Sequence, residues 1–147
     1  MKKLSVVLSA ALVLGLCGAT SAQAGGCITL PPGDPVFDPG SSCKVEFSMN
    51  PAVAGASALV KGYTQYAEVT IAAPSFLKDT ADDGLAAHLW VRAQYQEPMP
   101  PGWYESRIAS VSGSGSTKDI EWSAAYVEAF DVRVCVGEGT ANCTEWR

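Results

Sequence analysis

The chain has a single histidine, His88, and no Gly-x-Ser-x-Gly elbow. A nucleophilic triad needs a histidine within reach of a serine or cysteine and an orienting acid. The serine-glycine run Ser112–Ser116 has the wrong order for an elbow and reads as a turn. Cys-x-x-Cys is also missing and the histidine is remote from the cysteines, so no zinc site is built by spacing. Ten Lys and Arg stand against fifteen Asp and Glu, scattered along the chain with no basic patch to neutralise phosphates. Nucleic acid is therefore not an expected partner. No apolar run reaches the roughly 20 residues that a spanning helix requires, so no membrane span is expected.

The longest apolar stretch, Leu4 to Leu16, follows Lys2 and Lys3 and leads into Ala22-Gln23-Ala24, a small-x-small site. That order predicts a cleaved secretory signal over residues 1–24 and an extracellular or periplasmic location. Leu14-Gly15-Leu16-Cys17 resembles a bacterial lipoprotein box, but the large Leu16 stands where that box takes a small residue. Cleavage after Ala24 would leave 123 of the 147 residues, enough for one domain. Losing Lys2 and Lys3 would take the formal charge from −5 to −7, so an acidic exported domain is expected.

Of five cysteines, four would remain: Cys27, Cys43, Cys135 and Cys143. An oxidising compartment pairs them in one of three ways. The sequence-local choice, Cys27 with Cys43 and Cys135 with Cys143, is the expected one. A loop of about 15 residues closed in this way stabilises by roughly 3 kcal/mol in the chain-entropy account.

Residues 25–42 read as a Pro/Gly-rich N-terminal segment, with Pro31, Pro32, Pro35 and Pro39 fixing backbone and removing ladder donors. Residues 43–147 read as one β domain. In "CKVEFSM", Val45, Phe47 and Met49 alternate with polar residues, as a half-buried strand requires. "NPAVAGASALVKG" fits a short helix or a connection, "YTQYAEVTIAAP" a strand, and "SFLKDTADDG" a polar connection. From Leu85 to Tyr95 the odd positions are apolar, while His88, Trp90, Arg92 and Gln94 take the even ones. A period of two held this long predicts a strand with those four on its outer, polar face. "EPMPPG" breaks it, and Trp103 and Tyr104 open the adjoining strand. Ile120 to Val136 reads as two strands with a corner, its apolar parity interrupted at Glu128, followed by a hairpin whose arms carry Cys135 and Cys143.

About seven short strands with regular turn signals and no strong amphipathic helix predict an all-β, antiparallel β-sandwich. "AFDVRVCV" loosely resembles the penultimate strand of immunoglobulin- and fibronectin-like domains, though it lacks the tyrosine often found there. The resemblance covers about eight residues and implies an architecture only.

The expected function is that of a small secreted, non-enzymatic binding protein of the cell envelope or extracellular space. Its surface would be His88, Trp90, Arg92, Gln94, Trp103 and Tyr104, because Trp, Tyr and Arg concentrate at binding hot spots. The partner would be a protein, or a glycan stacking on tryptophan; no catalytic residue, cofactor or metal is expected. One alternative is a protease inhibitor presenting the Pro-rich 97–104 loop with Met99 at its tip, since rigidity lowers the ordering cost of binding. A second is a small hydrolase using paired acids such as Glu97 and Glu105. Asp79, Asp82 and Asp83 before Gly84 resemble a calcium loop but lack its alternating spacing, so a solvated turn is expected.

Overall fold

A computed structural model describes residues 44–147, which form ten strands in antiparallel sheets with no helix among the described residues. The signal, the Pro/Gly-rich segment and the Cys27–Cys43 pairing lie outside the described residues.

The first sheet is organised around β3 (Ala56–Gln65). Along one edge it pairs with β1 (Val45–Met49) and then β2 (Ala52–Val53). Along the other it pairs with β4 (Glu68–Ile71) and β5 (Phe76–Asp79). Outside these lie β9 (Trp122–Ala124) against β4 and β8 (Thr117–Asp119) against β5. The break between β4 and β5 is plugged by Ser75, which is buried. Its hydroxyl accepts the Lys61 amide at 2.9 Å and lies 3.0 Å from the Lys61 carbonyl, while its carbonyl accepts the Ile120 amide at 3.0 Å. One side chain thus satisfies backbone groups of β3 where its partner strand leaves off. Gly62 is required opposite β4, because a Cβ there would collide with the Thr70 carbonyl oxygen and come within 2.7 Å of the Phe47 ring.

The second sheet places β6 (Ala86–Tyr95) between β7 (Tyr104–Ser112) and β10 (Val127–Val136). The C-terminal segment then folds back along β10. Val136 donates to Asn142, Thr144 to Val134, and Val132 and Arg147 bond each other at 2.7 and 3.1 Å. The expected Cys135–Cys143 disulfide closes this hairpin, with Cα atoms 4.0 Å apart. Ala87, Leu89, Val91 and Ala93 of β6 and Val132, Val134 and Val136 of β10 share one buried cluster with Phe47, Val60, Val69, Ile71 and Leu77 of the first sheet. The Phe47 and Phe130 rings meet at 5.0 Å between the sheets.

Several local expectations are corrected. Residues 52–65 form β2 and β3, because Ala58 and Val60 alternate inward and override a helix-tolerant composition. "YTQYAEVTI" is two strands joined at Tyr66-Ala67. Phe76–Asp79 is β5, with Leu77 and Asp79 buried. The Asp79 carboxylate accepts the Gly113 amide at 2.9 Å and the Ala81 amide at 3.2 Å, so it pins a turn. Leu85 precedes β6 and is exposed. Tyr126 is exposed as well: a bulge between Val127 and Ala129 shifts the parity, so Val127 and Phe130 point inward and Tyr126 does not.

Candidate functional site

The outer face of the second sheet is laid out in cross-strand rows, because directly opposed residues share a face. In one row Trp90 of β6 is flanked by Arg107 of β7 and Arg133 of β10. The next row is Glu105, Arg92 and Asp131. On the other side of Trp90 the row is Ser110, His88 and Cys135. Even positions of β6 therefore do face outward, as their alternation predicts, although the face is not bare.

Each arginine on it has a carboxylate and an aromatic ring. Arg92 bonds the Asp131 carboxylate at 2.6 and 2.7 Å and stacks on both Trp103 and Trp146, 4.2 and 4.7 Å from their centroids. Arg133 stacks on Trp146 at 4.1 Å and donates to Glu105 at 3.1 Å. Glu105 belongs to β7 and Arg133 to β10, so this bond crosses over the central strand between Trp90 and Arg92. Arg107 and Arg133 both lie 5.8 Å from the Trp90 ring, and Arg107 pairs with Glu138 at 3.7 Å. Trp103, Arg92, Trp146, Arg133, Trp90 and Arg107 thus form an alternating ladder. Stacking a guanidinium on an indole is favourable by about 0.5–2 kcal/mol, more where water is excluded.

The ladder ends in an open depression of about 560 Å³ lined by Trp90, Glu105, Arg107, Arg133, Glu138, Gly139 and Thr140. Trp90 is half-buried within it. The Arg133 side chain is 12% exposed, and its Nε is buried with no hydrogen-bond partner among the described residues. The hairpin clamped by Cys135–Cys143 supplies Glu138, Gly139 and Thr140.

Of the expected surface residues, Trp90, Arg92 and Trp103 meet in the ladder. Gln94 lies further along β6, half-buried and outside the depression. Tyr104 turns to Tyr95, with rings 5.6 Å apart edge-on, and donates to the Pro100 carbonyl at 3.0 Å. His88 corrects the expectation of a surface histidine: it is 4% exposed, with Nδ1 unpartnered among the described residues. Its row is outward, yet the ring is shut off from solvent, and the Arg107 and Glu138 charges lie close enough to act on it. Burial first, and then the Arg107 charge, hold its pKa below the usual 6.5, with Glu138 opposing.

Trp146, Arg107, Arg133, Asp131 and Glu138 were not anticipated in the site. The signal for two of them was present: valine at 132, 134 and 136 turned inward leaves Asp131 and Arg133 on the face of Trp90. Trp146 arrives on the returning arm of the hairpin that the cysteine spacing predicts, but the expected surface did not extend to that arm. Among the described residues no three His, Cys, Asp or Glu side chains converge as metal ligands. Met99 is exposed in the 97–104 loop, and Glu105, one of the paired acids of the hydrolase alternative, is held by Arg133. Compared with protein-family models, curated proteins and solved structures, the chain matches none.

Proposed function

We propose that this chain is an exported binding protein, a disulfide-clamped β-sandwich of immunoglobulin-like layout that carries out no chemistry and takes a glycan in the depression at Trp90. The observation that carries this reading is the composition of that depression. An indole half-open to solvent is flanked by two guanidinium and two carboxylate groups. The apolar face of a sugar ring stacks on tryptophan, while Arg133, Arg107, Glu105 and Glu138 offer fixed donors and acceptors for its hydroxyls. The groups are preorganised by their own pairing, which lowers the ordering cost on binding.

Titration of the protein with neutral and uronic-acid oligosaccharides tests this. Binding is expected to weaken at least about tenfold in Trp90→Ala, as for a hot-spot aromatic. Because Trp90 also props two arginines, Glu138→Gln serves as the second variant. Its side chain is 89% exposed, so it should lose affinity with an unchanged Tm. If both variants bind as the parent does, or no oligosaccharide binds, the glycan reading fails.

A further inference from the structure

A second surface lies at the end of the molecule where three turns meet. Tyr66 and Ala67 join β3 to β4 with φ of +50° and +59°. Gln65 pairs with Glu68 across them, so this is a two-residue hairpin with both central residues left-handed. Asn-Gly is the usual solution for such a turn, because side chains with a bulky Cβ substituent resist positive φ. Tyr126, just before β10, is also left-handed at +60°. The turns are lashed together: the Val127 amide donates to the Ala67 carbonyl at 2.9 Å, and the Gln96 amide to the Tyr126 carbonyl at 2.7 Å. The two tyrosines nevertheless point to solvent, 67% and 69% exposed.

Neither ring packs the core, and each occupies a position where glycine would relax the backbone. Large aromatics at strained, exposed sites serve recognition rather than folding. Their surroundings set the partner's charge. Glu68, Glu97 and Glu128 border the turns, all exposed and none in an ion pair among the described residues. Glu128 sits within the bulge of β10, a device that re-aims a side chain. The neighbouring cation, Lys44, is engaged with Glu46 at 3.5 Å and with the Tyr63 ring at 4.3 Å. Exposed aromatic rings bordered by carboxylates that no cation among the described residues neutralises suit guanidinium and ammonium groups, and repel anionic lipid or phosphate.

We propose that this end docks an Arg- or Lys-rich polypeptide segment of a partner protein, with Tyr66 and Tyr126 as anchors. The site is separate from the Trp90 depression and stands whatever binds there. The test is NMR titration of the isotope-labelled protein with an octa-arginine peptide, at low and at physiological salt. Shifts confined to residues 65–68, 96–99 and 125–128 are expected, with affinity falling as salt rises. Tyr66→Gly/Tyr126→Gly should weaken binding at least about tenfold while Tm rises, since glycine is the residue these turns favour. Glu68→Gln/Glu97→Gln/Glu128→Gln should weaken it without loss of fold. Shifts centred on Trp90 or spread over the whole surface would overturn the proposal. So would a glycine double variant that binds like the parent, or capture by phosphatidylglycerol vesicles in place of the peptide.

Discussion

His88 shows how one residue can satisfy a sequence pattern and still contradict its usual meaning. Its place in the alternation of β6 is outward, yet it is 4% exposed. The depressed pKa has a definite consequence for stability. The unfolded chain takes up the proton near pH 6.5, the folded chain only at lower pH. Above 6.5 both are neutral and the residue adds no pH dependence. Below it the unfolded state binds more proton, so stability falls as pH drops, until the folded pKa is passed and the loss levels off. Urea melts from pH 7.5 downward should show this decline, and His88→Gln should remove at most one proton's worth of slope. An unchanged slope would mean that carboxylates carry the acid sensitivity. Alternation of apolar and polar residues reports which face a residue takes, not what surrounds it there; Arg107 and Glu138, whose charges reach His88, lie 19 and 50 positions away in sequence. Ser75 and Gly62 were illegible for the same reason, since each answers a backbone contact made by a distant strand.

At the scale of elements, the C-terminal hairpin decides whether the ladder exists. Residues 142–147 are held to β10 by backbone bonds, by the Thr144 hydroxyl accepting the Val134 amide at 3.2 Å, and by the Cys135–Cys143 bridge. They deliver Trp146, against which both Arg92 and Arg133 stack. Cys135→Ala/Cys143→Ser should cost about 2–3 kcal/mol by loop-closure entropy alone. It should also weaken near-UV tryptophan ellipticity, because the hairpin frays and Trp146 leaves its arginines. Far-UV ellipticity should be retained; its collapse would show that the hairpin holds the whole sheet rather than its outer face. The bridge, β6, β7 and β10 were readable because alternation, proline punctuation and cysteine spacing are local signals. β5 was not, since Lys78 and its acidic neighbours resemble a connection until β3 and β8 are placed on either side of it.

Taken whole, the molecule has one core shared by two sheets, and this fixes how it must unfold. Val60, Val69 and Leu77 from one sheet are buried with Leu89, Val91, Val132 and Val134 from the other, and Phe47 meets Phe130 between them. The outer face of β7-β6-β10 offers no second core: it is Arg, Trp and carboxylate, stable only while the strands beneath it keep their register. Separation of the sheets therefore exposes both inner faces at once, and unfolding should be a single cooperative transition. The tryptophans make this measurable, with Trp122 on β9 in the first sheet and Trp90, Trp103 and Trp146 in the ladder of the second. Denaturation followed by fluorescence of single-tryptophan variants and by far-UV ellipticity should give coincident curves. Phe130→Ala should lower stability by about 3–5 kcal/mol, as for a buried phenylalanine, and shift every curve together. If Trp122 reports an earlier or later midpoint than the ladder, the sheets fold as separate units, and the ladder then owes its order to its own Arg–Trp and ion-pair contacts rather than to the core beneath.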